Sequence, residues 1–147
     1  MIYISHRGNI EGPNKSLENS KGYIEKAIKK GYDVEIDVWL IDEKYYLGHD
    51  QPQYEIDQEF LENPSLWCHA KNVEALKSMS DSKKIRYFWH QNDDVTLTSD
   101  NFIWTFPGKK LVEGSICVMP ESVNLKPGNP KLNLCYGICS DFIKSFK

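Results

Sequence analysis

Apolar and polar residues alternate from Asp33 to Trp39, with Val34, Ile36 and Val38 on one face of an extended strand and Glu35, Asp37 and Trp39 on the other. Shorter runs of the same kind predict strands at 2–5, 66–71 and 85–90, and Tyr45–Gly48 extends the second strand after a turn at Glu43-Lys44. Between them the spacing becomes helical. Leu17, Ile24, Ala27 and Ile28 share a stripe that predicts a helix over 16–30, capped by Ser16 and stopped by Gly31. A weaker helix is expected over 57–62, halted before Pro64, and a short one over 73–80. Beyond His90 helical periodicity vanishes. Phe102–Phe106, Ile116–Met119 and Tyr136–Ser140 read as strands and Leu132–Leu134 as a further candidate, with Lys126–Pro130 as loop.

Strand–helix alternation in the first half predicts parallel pairing with right-handed crossovers, in a barrel or an open α/β sheet. Periodicity does not choose between these. Only nine residues, Pro107–Ser115, separate two of the later strands, fewer than the dozen or so that a parallel crossover usually takes.

With 147 residues the chain reads as a single domain, 1–147, able to bury one core. A net charge of −3, with lysines scattered along the chain, gives no electrostatic case for nucleic acid. No apolar run is long enough for a membrane span, and the first residues read as a strand rather than a signal peptide, so a cytoplasmic protein is expected. Cys68, Cys117, Cys135 and Cys139 form no C-x-x-C pair and are expected as buried free thiols.

All four histidines, His6, His49, His69 and His90, fall at the carboxyl end of a predicted strand or strand extension. In parallel α/β folds ligands bind at that edge. Glu35 and Asp37, about 7 Å apart along one strand face, are close enough to share a cation. His69 and Lys71 share a face, as do Phe88 and His90. Arg7 offers a bidentate fork to a phosphate, Lys71 a point charge, and imidazoles move protons near neutrality. Together these groups suit cleavage of a phosphodiester.

His6-Arg7-Gly8, Glu18-Asn19-Ser20, the run from Gly31 to Val38, and His49-Asp50 resemble, in order and approximate spacing, the signature of the glycerophosphodiester phosphodiesterase family: HRG, E-N-T, G-x-D-x-x-E-x-D-V and HD. The likeness covers residues 3–50. Beyond it, Lys71 resembles the lysine of the family's third-strand E-x-K, and Gly137–Asp141 its closing G-x-x-T-D. The resemblance implies a parallel (β/α) TIM-type barrel. The chain is shorter than the usual 200–250 or so residues, so several helices of the second half are expected as loops. A partner chain, in a homo-oligomer, is expected to cover the surface they leave.

The resemblance further implies one divalent cation, magnesium or calcium, on Glu35 and Asp37, with His6 and His49 as acid–base pair and Arg7 on the phosphate. Where the family has a third carboxylate this chain has His69, either a ligand that brings manganese or zinc into range or a phosphate contact. Lys71 and Trp104 are candidate substrate contacts. Glu18 and Asn19 are candidates to orient His6 or the phosphate, and Asp50 to orient His49 or a metal-bound water. The implied reaction is hydrolysis of a small glycerol-type phosphodiester, through a cyclic phosphate made by a neighbouring hydroxyl. The alternatives are a phospholipase-type lyase that stops at the cyclic product and a module that binds phosphate and metal without turnover.

Overall fold

A computed structural model describes residues 1–147. In chain order the elements are β1 (Ile2–His6), α1 (Lys21–Lys29), β2 (Asp33–Ile41), β3 (Lys44–Leu47), β4 (Tyr54–Ile56), α2 (Gln58–Leu61), β5 (Leu66–Ala70), α3 (Val73–Asp81), β6 (Tyr87–Phe88), β7 (Val95–Leu97), β8 (Ile103–Thr105), β9 (Ile116–Val118) and β10 (Gly137–Ser140). After β6 the only helical segments are 3₁₀ turns, at Pro120–Val123, Pro130–Leu134 and Ile143–Ser145.

The expected all-parallel TIM-type barrel is not formed. All ten strands belong to one mixed sheet, curled into a half-barrel and served by three α-helices. Its central run, β6-β5-β2-β1-β10-β9-β8, is parallel, while β3 on β2, β4 on β3 and β7 on β8 are antiparallel. Length explains the departure. β2 has nine residues, and only its first part pairs with β1; from Val38 onward, beyond the end of β1, it takes β3 as a hairpin partner. That hairpin turns at Asp42 and Glu43, both with positive φ (47° and 63°), as a two-residue hairpin loop requires. At the other end β6 has two residues, and no ladder joins it to β8. The two still approach through side chains, with the Phe88 and Trp104 rings 4.6 Å apart, and the turn between β7 and β8 reaches β6 through the backbone, where Ser99 N–H donates to the Tyr87 carbonyl at 2.8 Å.

Strand parity divides the core. Val34, Ile36 and Val38 of β2, with Leu66, Cys68 and Ala70 of β5, face outward into a 22-residue cluster completed by Ile24 and Ala27 of α1 and Ala75 and Met79 of α3. Residues of opposite parity line the concave side, where Ile4, Trp67, Phe88, Trp104, Ile116 and Cys139 pack together. All four cysteines are buried free thiols, as expected. No helix is long and apolar enough to cross a membrane.

Local differences from the sequence expectation have local causes. α1 begins at Lys21 rather than 16, because Asn19 adopts a left-handed backbone (φ 63°) that interrupts helix geometry. Leu17 is consequently exposed. α3 starts after Asn72, whose amide oxygen accepts the Ala75 N–H at 3.1 Å and whose NH₂ donates to the Leu40 carbonyl at 2.8 Å, joining helix cap to β2. Leu132–Leu134 lies in a 3₁₀ turn rather than a strand, and β4 and β7 are strands that the periodicity does not announce.

Candidate functional site

Parallel register assembles the site on the concave edge. His6 of β1 is level with Glu35 of β2, and Glu35 with Trp67 of β5. One step further, Asp37 is level with His69, and His69 with Phe88 of β6. Residues two apart on one strand share a face, so His6, Glu35, Asp37 and His69 converge above the aromatic layer of Trp67, Phe88 and Trp104.

Asp37 is the hub. Its side chain is fully buried, with Arg7 Nε 3.0 Å from Oδ2, and His69 Nδ1 and Lys71 Nζ at 3.3 and 3.6 Å from Oδ1. Asn19 donates from Nδ2 to Asp37 Oδ2 at 3.0 Å and accepts the Asp37 N–H on its own oxygen at 3.0 Å. The left-handed backbone of Asn19 thus serves a two-point grip on the hub. Burial opposes the Asp37 charge, but the hydrogen bond from His69 and the Arg7 charge outweigh it and hold the carboxyl well below the usual range.

His69 faces two ways. Its ring stacks on Phe88, with centroids 4.9 Å apart, and Nε2 lies 2.7 Å from the His90 carbonyl. A carbonyl only accepts, so Nε2 carries a hydrogen and Nδ1 is turned to Asp37 and to Glu35 Oε1, 3.7 Å away. Without a cation between them, a lone pair on Nδ1 would face two carboxylates. Burial disfavours the imidazolium, yet hydrogen bonds to Asp37 and Glu35 prevail and raise the His69 pKa to about 9. One ligand atom from each of Glu35, Asp37 and His69 lies within 4.8 Å of the others, while Glu35 Oε2 is a buried acceptor with no hydrogen-bond donor. This donor set, two carboxylates and one imidazole, fits a divalent cation as it fits the proton on Nδ1.

His6 is held by a residue far along the chain. Its Nδ1 is 2.8 Å from Asp141 Oδ1, just past β10, and its Nε2 points at Glu35 Oε2, 3.8 Å away. Burial works against protonation of His6, but the hydrogen bond to Asp141 and the Glu35 charge raise its pKa. The same bond depresses Asp141 against the effect of its burial. Asp141 N–H in turn donates to Glu121 Oε1 at 3.0 Å.

Asn9, which no sequence pattern singles out, ties the two ends together. Fully buried, it donates to Asp141 Oδ1 at 2.8 Å and Glu18 Oε1 at 2.9 Å, and accepts the Asn14 N–H at 3.0 Å. Glu18 also lies 3.4 Å from Arg7. The only local hint is a short amide directly after His6-Arg7-Gly8, a turn with positive φ at Arg7 and Gly8.

The structure does not bring every expected residue into the cluster. His49 stands half-exposed on the rim, bonded to exposed Asp50 at 2.7 Å. With Arg7, Lys15, Glu18 and Asn19 it lines a cavity of about 370 Å³ that has no apolar residue in its wall. Its loop is anchored by Trp39, whose indole N–H donates to the Gly48 carbonyl at 2.6 Å, so Trp39 supports the rim. The His90 ring sits edge-on to Phe106, and its Nε2 donates to the Asp93 carbonyl; only its backbone oxygen serves the site. Trp104, expected at the substrate, is 3% exposed and packed between Trp67 and Phe88, because the parity that points it inward places it one layer below the ionisable groups.

Comparison with protein-family models, curated proteins and solved structures finds no match to this chain.

Proposed function

We propose that the protein is a metal-dependent phosphodiesterase acting on a small glycerol-type phosphodiester. The observation that carries this reading is the convergence of His6, Arg7, Glu35, Asp37, His69 and Lys71 in one buried cluster. It adjoins, through Arg7, a wholly polar cavity with His49 on its rim. The resemblance of residues 3–50 to the glycerophosphodiester phosphodiesterase signature, which includes four of these residues (His6, Arg7, Glu35 and Asp37), points the same way.

Glu35, Asp37 and His69 would hold one divalent cation, which when bound supplies Lewis acidity toward a phosphoryl oxygen. Arg7 and Lys71 add fixed positive charge for the phosphate. His6, oriented by Asp141 through Nδ1, presents Nε2 to take a proton from, or return one to, a substrate oxygen. His49, oriented by Asp50, is the second proton carrier on the solvent side. A neighbouring substrate hydroxyl attacking phosphorus, losing its proton to one histidine as the P–O bond to the other alcohol breaks and that alcohol leaves protonated, would give a cyclic phosphate; a site that releases it at that stage is a lyase.

A second reading is favoured by one feature. Arg7, His69 and Lys71 all lie against Asp37, a compensation that also suits a module that binds phosphate esters without turning them over. Incubation of the purified protein with glycerophosphocholine and a panel of divalent ions, followed by phosphorus NMR, separates these. An open monoester supports hydrolysis, and a persistent cyclic product supports the lyase. Binding of phosphate esters without turnover under any ion supports the module, and absence of both binding and turnover refutes all three.

A further inference from the structure

On the outer face of the sheet, where the chain beyond α3 has no α-helix, two loops enclose a groove of about 580 Å³, a volume typical of small-molecule sites. Its apolar wall is aliphatic throughout: Leu111, Val123, Leu125 and Leu134. Gly108 completes it at positive φ, and a Cβ there would come within 3.1 Å of Val123 Cγ1, so the glycine keeps that part of the groove open. Leu111 and Leu125 rest on the main core cluster, and the Gly114 N–H donates to the Leu134 carbonyl at 2.9 Å, which links the two loops.

Every other side chain of the wall is a lysine. Lys109 is paired with Asp94 at 2.8 Å, whereas neither Lys110 nor Lys131 has a carboxylate within 4.0 Å. The groove is therefore cationic in a chain whose net charge is −3. Val123 and Leu134 remain more than a third exposed beside these unpaired charges. Apolar surface exposed next to uncompensated lysines is complementary to a molecule with an aliphatic body and an anionic head.

We propose that this groove binds a small single-chain anionic amphiphile, its chain along Leu111, Val123, Leu125 and Leu134 and its carboxylate or phosphate head at Lys110 and Lys131. The concave wall favours a separate molecule over a flat bilayer surface. The site lies apart from the His6–Asp37–His69 cluster, shares no residue with it, and does not depend on the catalytic reading.

The probe is decyl phosphate, kept below its micelle concentration, with decyltrimethylammonium and inorganic phosphate as controls, read by amide chemical shifts and calorimetry on the full chain. Decyl phosphate should shift amides at 108–111, 123–125 and 131–134, while neither control binds there. The double variants K110Q/K131Q and V123S/L134S change exposed residues, so both should keep the wild-type melting temperature, and each should weaken binding at least tenfold. Equal binding of the cationic detergent, unchanged affinity in both variants, or shifts confined to the His6–His69 cluster would overturn the proposal. So would no binding at all, a dimer dissolved by K110Q/K131Q, or attachment to anionic vesicles without binding of decyl phosphate.

Discussion

If Glu35, Asp37 and His69 hold a divalent cation as proposed, raising the pH from 6.5 to 9 should tighten its binding by roughly two orders of magnitude, because the cation must displace one proton from His69 Nδ1. Hydrogen bonding of Nε2 to the His90 carbonyl leaves Nδ1 as the atom aimed at both carboxylates, and the imidazolium persists to about pH 9. Below that value each pH unit costs about tenfold in apparent affinity, near 1.4 kcal/mol. Calorimetry with manganese or magnesium in buffers of different ionisation enthalpy should register close to one proton released per ion at pH 7. His69→Gln should bind more weakly and lose the pH slope. Without divalent ions the same proton stabilises the fold. The folded-state pKa lies above the unfolded value, so the contribution is complete below about pH 6.5 and disappears as pH rises through about 9, at most about 3 kcal/mol. Affinity that is flat between pH 6.5 and 9, with no proton release, would refute the assignment of His69 as ligand.

Asn19→Ala should destabilise the protein by about 2–4 kcal/mol in urea unfolding, since it removes both hydrogen bonds to buried Asp37 and forces alanine into a left-handed backbone. Asp141→Asn removes the carboxylate that favours protonated His6, so the His6 titration followed by NMR should move to lower pH; an unchanged midpoint would dismiss the pairing. Trp104→Ala should cost about 3–5 kcal/mol of stability with little change in KM for any diester, because the ring fills the layer beneath the site. A large rise in KM at wild-type stability would return Trp104 to the substrate.

Alternation from Val34 to Trp39 was sufficient to assign Val34, Ile36 and Val38 to the core and Glu35 and Asp37 to the opposite face, since side-chain direction in a strand depends only on parity. The short helix expected over 73–80 was equally legible and forms over Val73–Asp81, while its cap, Asn72, shows only in the structure. Strand ends placed His6, His69 and Lys71 near those carboxylates once parallel pairing was assumed, and β1, β2 and β5 do pair that way. Pairing elsewhere followed strand length: β3 turns back antiparallel because β2 outruns β1, and β6 is too short to join β8 by a ladder, so a mixed, curled sheet stands where a closed barrel was expected. Tertiary structure alone joined His6 to Asp141 across 135 positions, buried Asn9 between them, and turned His69 Nδ1 toward the carboxylates through the His90 carbonyl. Those are hydrogen bonds between residues distant in sequence, set by register and by the burial of polar groups that must find partners. Periodicity within one segment carries no information about either.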